Sequence, residues 1–322
     1  MSRGKALKII TLLESGNARN AGLAALITGG LYYLGVILAI NFVNPTEKIA
    51  FFWPSNAIAA AVLIFMPRRF WPMTLIAVAV AYLAARVPGG SLPPSVLAGF
   101  CLANLVECAV VAAVFRSAWR GDLRFSNLHR FIPFALIAST CASVISGLIG
   151  AATITYILQS ATFMRAFVVW FTGDLFGLVL VLPILLAFLV PAEGARSKAA
   201  MPRTLTGMPV VAGGLIAVGA GLYFGLPEGW DFWLFVPYLL LIALAWVAQK
   251  VTLFWTIIGA FGAGVFEVVA TFVGFGLFRL EGMSVTEEVV LMKVSIALIT
   301  MVILLMAAWR ESARAEAAED AA

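Results

Sequence analysis

Three carboxylates, Glu107, Asp174 and Glu267, each interrupt a long apolar run of the chain. An ionised side chain at the centre of a bilayer costs about 3 kcal/mol even on the mildest scales. Such an acid is cheaper when protonated and hydrogen-bonded, or when it is charged only while a ligand or cation is bound. Every Lys and Arg falls in a connection or near a helix end, so the sequence offers none of the three an intramembrane cation. Neighbours come from helical spacing, because residues three and four apart share a face. Asn104 lies three residues before Glu107, Trp170 four before Asp174, and Thr271 four after Glu267. Two chemistries fit: a polar centre that senses or binds, or neutral acids that join helices through hydrogen bonds worth about 1 kcal/mol each. Both need the acids inside the bundle, with Asp174 facing other helices rather than lipid. Whether they form one shared site or local ones stays open at this level.

Other chemistries find less support. Gly173 and Gly177 flank Asp174 with the G-x-x-x-G spacing that lets a second helix approach closely. Gly213, Gly214, Gly221, Gly259, Gly262 and Gly264 have the same packing reading, and with no strand before them they are not phosphate loops. Cys101, Cys108 and Cys141 form no C-x-x-C pair and read as small packing residues. His129 is the only histidine, which argues against bis-histidine haem. It reads as an interfacial residue between two helices, and no ATP-binding region follows that would make it a phospho-acceptor. No metal and no cofactor is expected.

The elements that hold these residues must lie in lipid. The chain is 63% hydrophobic and 11% charged over 322 residues, against about 25% charged in soluble domains, and water could not solvate that surface. Apolar runs long enough to cross a core of about 30 Å as helices recur from Asn20 to Trp309. They are continuous rather than alternating, which rejects a β-barrel. The predicted class is an all-α polytopic transmembrane bundle of about ten helices, with eight as the alternative count. The ten are 20–43, 52–66, 70–85, 93–115, 131–157, 163–190, 208–226, 232–248, 251–278 and 289–309. The second and third are short and suit a shallow hairpin around Pro67-Arg68-Arg69.

With the N-terminus inside, sixteen Lys and Arg fall in inner segments and five in outer ones, the bias expected of cytoplasmic loops. Both termini are then cytoplasmic. Outer connections are short, so a folded outer domain is not expected. Residues 1–19 read as a cytoplasmic segment without a signal-peptide core, 20–309 as the membrane domain, and 310–322 as a short cytoplasmic tail of helix-forming Ala and Glu without an output domain. The net charge of +5 is spread over the connections rather than gathered on one face, so nucleic acid is not an expected partner.

Three motifs stand in order along the chain. Trp53-Pro54-Ser55-Asn56-Ala57-Ile58-Ala59 opens one helix, Arg68-Arg69-Phe70-Trp71-Pro72 precedes the next, and Trp170-Phe171-Thr172-Gly173-Asp174-Leu175-Phe176-Gly177 with Pro183 lies in the sixth. In this order they resemble the membrane-associated sensor domain, type one, of bacterial signalling proteins. That family typically reads W-P-P-x-G-I-A, R-x-W-P, and W-x-G-D-x-x-G with a following proline. The resemblance runs from about residue 20 to 309, and its third motif is the most specific. Ser55-Asn56-Ala57 departs from the usual proline and glycine of the first. Without the family, Trp53-Pro54 and Trp71-Pro72 also read as interfacial helix starts, since proline suits a first turn and tryptophan the lipid–water boundary.

The resemblance implies a multi-pass protein of the bacterial plasma (inner) membrane. Such domains feed histidine kinases, diguanylate cyclases or phosphodiesterases through their last helix. The expected function is a non-enzymatic sensor whose stimulus changes packing around Asp174 and the tenth helix and acts on a separate cytoplasmic kinase, cyclase or other regulator, with a homodimer as a further arrangement. Its sensing residues are then Asp174, Trp170, Gly173, Gly177, Glu107, Asn104, Glu267, Trp53, Pro54, Asn56, Trp71 and Pro72. One rival is a proton- or cation-coupled small-solute transporter, which buried acids and glycine-broken helices also suit. Another is the sensor half of a longer histidine kinase or diguanylate cyclase.

Overall fold

A computed structural model of the chain describes residues 13, 17–42, 50, 52–86, 92–118, 128–190, 250–273, 278 and 282–320. The predicted helices 208–226 and 232–248, with Gly213, Gly214 and Gly221, lie outside these. The chain divides into two compact units, Met1–Pro191 and Ala192–Ala322. Among the described residues the first holds α1 (Ala18–Asn41), α2 (Ser55–Phe65), α3 (Trp71–Arg86), α4 (Pro94–Ala118), α5 (Leu128–Ala152) and α6 (Phe163–Leu189). The second holds α7 (Leu253–Phe272) and α8 (Val285–Asp320). The fold is all-α. Among the described residues six helices are long and apolar enough to cross a membrane, namely α1, α4, α5 with its continuation to Leu158, α6, α7 and α8.

The ends of these helices follow local chemistry. Asn17 caps α1 by accepting a hydrogen bond from the Arg19 amide at 2.9 Å. α5 loosens into a π-helical turn over Thr153–Leu158 and stops at Gln159, whose φ of 53° no regular helix continues. α8 begins four residues earlier than the predicted 289 because Ser284 and Glu287 form a capping box. The Ser284 amide donates to Glu287 Oε2 at 2.8 Å and the Glu287 amide to Ser284 Oγ at 3.4 Å. Three polar residues, Thr286, Glu287 and Glu288, make this stretch look like a connection in the sequence. In the structure they are the first turn of a helix.

That shift corrects the placement of a charge. Lys293, expected near an outer helix end, lies in the third turn of α8 and is only 2% exposed. His129 is corrected too. α5 starts at Leu128, so His129 sits in its first turn and is buried, rather than lying between two helices. The predicted ninth helix ends at Phe272 rather than at 278.

α2 has 11 residues and a length of about 16 Å, half of what a hydrocarbon core requires. It is apolar on nearly every side and packs against α1, α4 and α6, the pattern of a helix in the middle of a bundle. Ser55 fits against the bare Cα of Gly35 on α1. At its other end the last carbonyls are collected by side chains. Trp71 Nε1 donates to the carbonyls of Leu63 and Met66 at 3.1 and 3.0 Å, and Arg116 Nη1 to that of Met66 at 2.6 Å. A cation and an indole thus hold the negative end of the α2 dipole. A 3-10 turn, Arg68–Phe70, then reverses the chain into α3, which runs back along α1.

Candidate functional site

The start of α2 lies deep in the first unit, against the midpoints of α4 and α6. Residues 52–54 are irregular and Pro54 is the N-cap, so the helix opens three residues later than the predicted 52. The Trp53 carbonyl rests on Gly177 so closely that a Cβ there would overlap it. Glycine at 177 therefore admits a piece of irregular chain, where the spacing had suggested a second helix. Backbone of this kind is tolerated at membrane depth only when protein covers it, and α6 provides the cover. Gly173 is half-buried. Gly150 on α5 does for the Trp170 ring what Gly177 does for Trp53.

Around this point five helices contribute polar groups. Asn104 and Glu107 share a face of α4, as their spacing requires, and both are buried. Asn56, in the first turn of α2, donates through Nδ2 to Asn104 Oδ1 at 2.8 Å and to Glu107 Oε2. Its own Oδ1 accepts from the Tyr32 hydroxyl of α1 at 2.8 Å. Trp53 Nε1 donates to Asn104 Oδ1 at 3.1 Å, and Asn104 Nδ2 to the Phe100 carbonyl at 2.7 Å. From α5, Ser143 donates to Glu107 Oε1 at 3.0 Å and Ser146 to Asp174 Oδ2 at 2.7 Å. Trp170 Nε1 donates to Ser146 Oγ at 2.9 Å. Asp174 is 6% exposed and faces neighbouring helices.

Ser143 and Ser146, three residues apart on one face of α5, thus hold the Glu107 and Asp174 carboxyls as a pair. Asn56 brings the amino end of α2 against it, and the positive end of a helix dipole favours negative charge. The half-helix thus presents its positive end to the acids and its negative end to Arg116.

The structure brings together most of the residues singled out by sequence. Asp174, Trp170, Glu107, Asn104, Asn56 and Trp53 share the network, with Pro54 and Gly177 shaping its floor. Trp71 serves the far end of α2, and Pro72 is exposed in the first turn of α3. The indole of Trp53 turns inward to Asn104 at the midpoint of α4, away from a helix boundary, whereas Trp71 opens α3 with Pro72 in its first turn and also caps α2. Glu267 belongs to the second unit, where Thr271 donates to its Oε1 at 3.5 Å. A methyl group added at Gly262 would meet no heavy atom within 4 Å, so no close packing explains this glycine among the described residues. Sequence reasoning missed Tyr32, Ser143 and Ser146. The two serines carried only a weak signal, a three-residue spacing that puts both on one face of α5. Tyr32 carried none.

An all-α, multi-pass bundle that buries a pair of carboxyls among neutral donors is an integral membrane protein with a polar centre. Its motifs narrow the class further: the MASE1 family model, that of membrane-associated sensor domain 1, matches residues 24–314. The chain belongs to this family of membrane sensory domains. Comparison with curated proteins and with solved structures returned no match.

Proposed function

We propose that the protein is the input module of a bacterial signalling system, lying in the plasma membrane with both termini in the cytoplasm and about ten helices in all. Its stimulus acts on the Glu107–Asp174 pair, and the resulting change of packing reaches a separate cytoplasmic kinase, cyclase or other regulator through the last helix. The module has no catalysis of its own, and it works as a homodimer. One observation carries the reading: buried hydrogen bonds tie α1, α2, α4, α5 and α6 to two acids, Glu107 and Asp174, that serines one turn apart on α5 hold side by side. Adding or removing charge there redistributes bonds on all five helices at once.

Reciprocal pull-down from detergent-extracted membranes tests it. Recovery of a kinase, cyclase or comparable regulator, with the yield changed by Asp174→Asn, is the expected result. Recovery of none under several growth conditions defeats the reading.

One observation favours a second reading, a proton- or cation-coupled transporter. A half-helix whose amino end meets carboxyls at mid-depth is a device that transporters use for substrate and ion sites. Flux into proteoliposomes driven by a pH gradient and abolished by Asp174→Asn would decide for it.

A further inference from the structure

The amino end of α7 is closed by residues of the last helix. The Leu253 amide, one of the four donors that a helix start leaves open, donates to Glu311 Oε1 at 2.6 Å. Arg310, next along α8 and 9% exposed, donates to the Val251 carbonyl just before that start, and its Nη2 lies 3.8 Å from Glu311 Oε1. Two adjacent residues of α8 thus grip an acceptor and a donor that flank Thr252, the N-cap of α7. The helix also has a cap residue of its own. Thr252 stands at the N-cap with φ −68° and ψ 157°, the extended backbone an N-cap uses, yet its side chain caps nothing. Its Oγ1 is buried and has no hydrogen-bond partner. Rotation about χ1 is all it needs to accept from the second or third amide of α7.

We propose that α7 has two alternative caps, Glu311 from the last helix and Thr252 from its own chain, and that exchange between them lets α8 shift against α7 at little cost. With Glu311 engaged, α8 is latched to α7 where the chain leaves the apolar stretch. When α8 moves, Arg310 and Glu311 let go together and Thr252 Oγ1 closes the helix end behind them. The two positions then differ by the exchange of one capped amide for another, so a small bias from elsewhere selects between them. The proposal rests on the reading of the last helix as the output element. The latch itself is a property of the isolated protein.

Site-resolved amide hydrogen exchange on the purified full chain in detergent or nanodiscs tests the latch without any partner. Thr252→Val alone is expected to leave exchange at Phe254 and Trp255 unchanged, because Glu311 holds the turn. Glu311→Ala alone is expected to free the Leu253 amide and to slow exchange at Phe254 or Trp255, because Thr252 then caps one of them. The double variant removes both caps and should exchange about fivefold faster, and Thr252→Ser in the Glu311→Ala background should restore protection. Exchange in the double variant no faster than in Glu311→Ala alone would overturn the proposal, as would acceleration by Thr252→Val alone. A failed pull-down would leave these results standing, and a successful one would not supply them.

Discussion

The polar centre of the first unit and the clamp on α7 in the second hold their groups in opposite ways. In the first, the groups sit at the midpoints of helices and are neutral but for the acids themselves. Asn, Ser, Tyr and Trp surround Glu107 and Asp174, and the counter-charge is the end of a half-helix. In the second, Arg310 and Glu311 sit where one helix begins and another continues, and they engage backbone rather than side chains. A network of neutral donors at mid-helix can change its charge without losing its partners. A charged clamp at a helix end fixes position and releases as a unit. The contrast separates a part suited to receiving a stimulus from a part suited to setting where a helix stands.

The largest effect is expected from closing the gap that admits Trp53. Gly177→Val forces a side chain into the Trp53 carbonyl, which is backbone and cannot swing aside, so a loss of about 3 kcal/mol or more is expected. A lower thermal unfolding midpoint and a lower yield of extracted protein would show it; an unchanged midpoint would mean that residues 52–54 are not held in the bundle. Next comes Glu107→Ala, which strips buried partners from Asn56 and Ser143 and should cost about 2–3 kcal/mol. Glu107→Gln, which keeps the shape and part of the bonding, should cost about half as much. Equal losses for the two would place the value of Glu107 in its charge rather than in its partners.

Smaller effects sharpen the distinction between mid-helix and helix-end groups. Trp71→Phe removes the indole donor from two carbonyls at the end of α2 and should cost about 1 kcal/mol, measured by thermal unfolding. Asp174→Asn should fold within about 1 kcal/mol of the parent, since an amide can still accept from Ser146. It should nevertheless shift the emission of Trp170, whose N–H bonds to that serine. The smallest loss is expected from Glu311→Ala, well under the cost of removing an only cap, about 1 kcal/mol. A loss as large as that of Glu107→Ala would erase the contrast.

Much of this is legible in the sequence, for reasons that also explain what is not. Lipid demands long apolar runs, so the helices within the described residues fall close to where hydropathy places them, and a buried acid in such a run is conspicuous. Periodicity reports length and face but not depth. Residues 52–66 therefore read as a short span, although α2 begins halfway down α4 and α6. Spacing links Asn104 to Glu107 and Trp170 to Asp174. It cannot show that these two pairs meet, since that depends on how α4 and α6 stand around α5. Ser143 and Ser146 escape notice because serine is ordinary in a membrane helix. Lys293 reads as a helix-end residue because the turn before it is polar, and only the capping box makes that turn helical.

The half-helix also sets an order of events during synthesis. α2 is too short to cross the bilayer, and Trp53, just before it, finds its partners on Asn104 and Gly177, both made later. As the chain leaves the ribosome, α6, whose Gly177 covers the Trp53 carbonyl, is still to be made. Residues 52–65 must wait at the membrane surface, or in the care of the insertion machinery, until α6 has entered. The polar centre is therefore the last part of its unit to close, and a chain stalled before α6 would hold the acid of α4 with no second acid beside it.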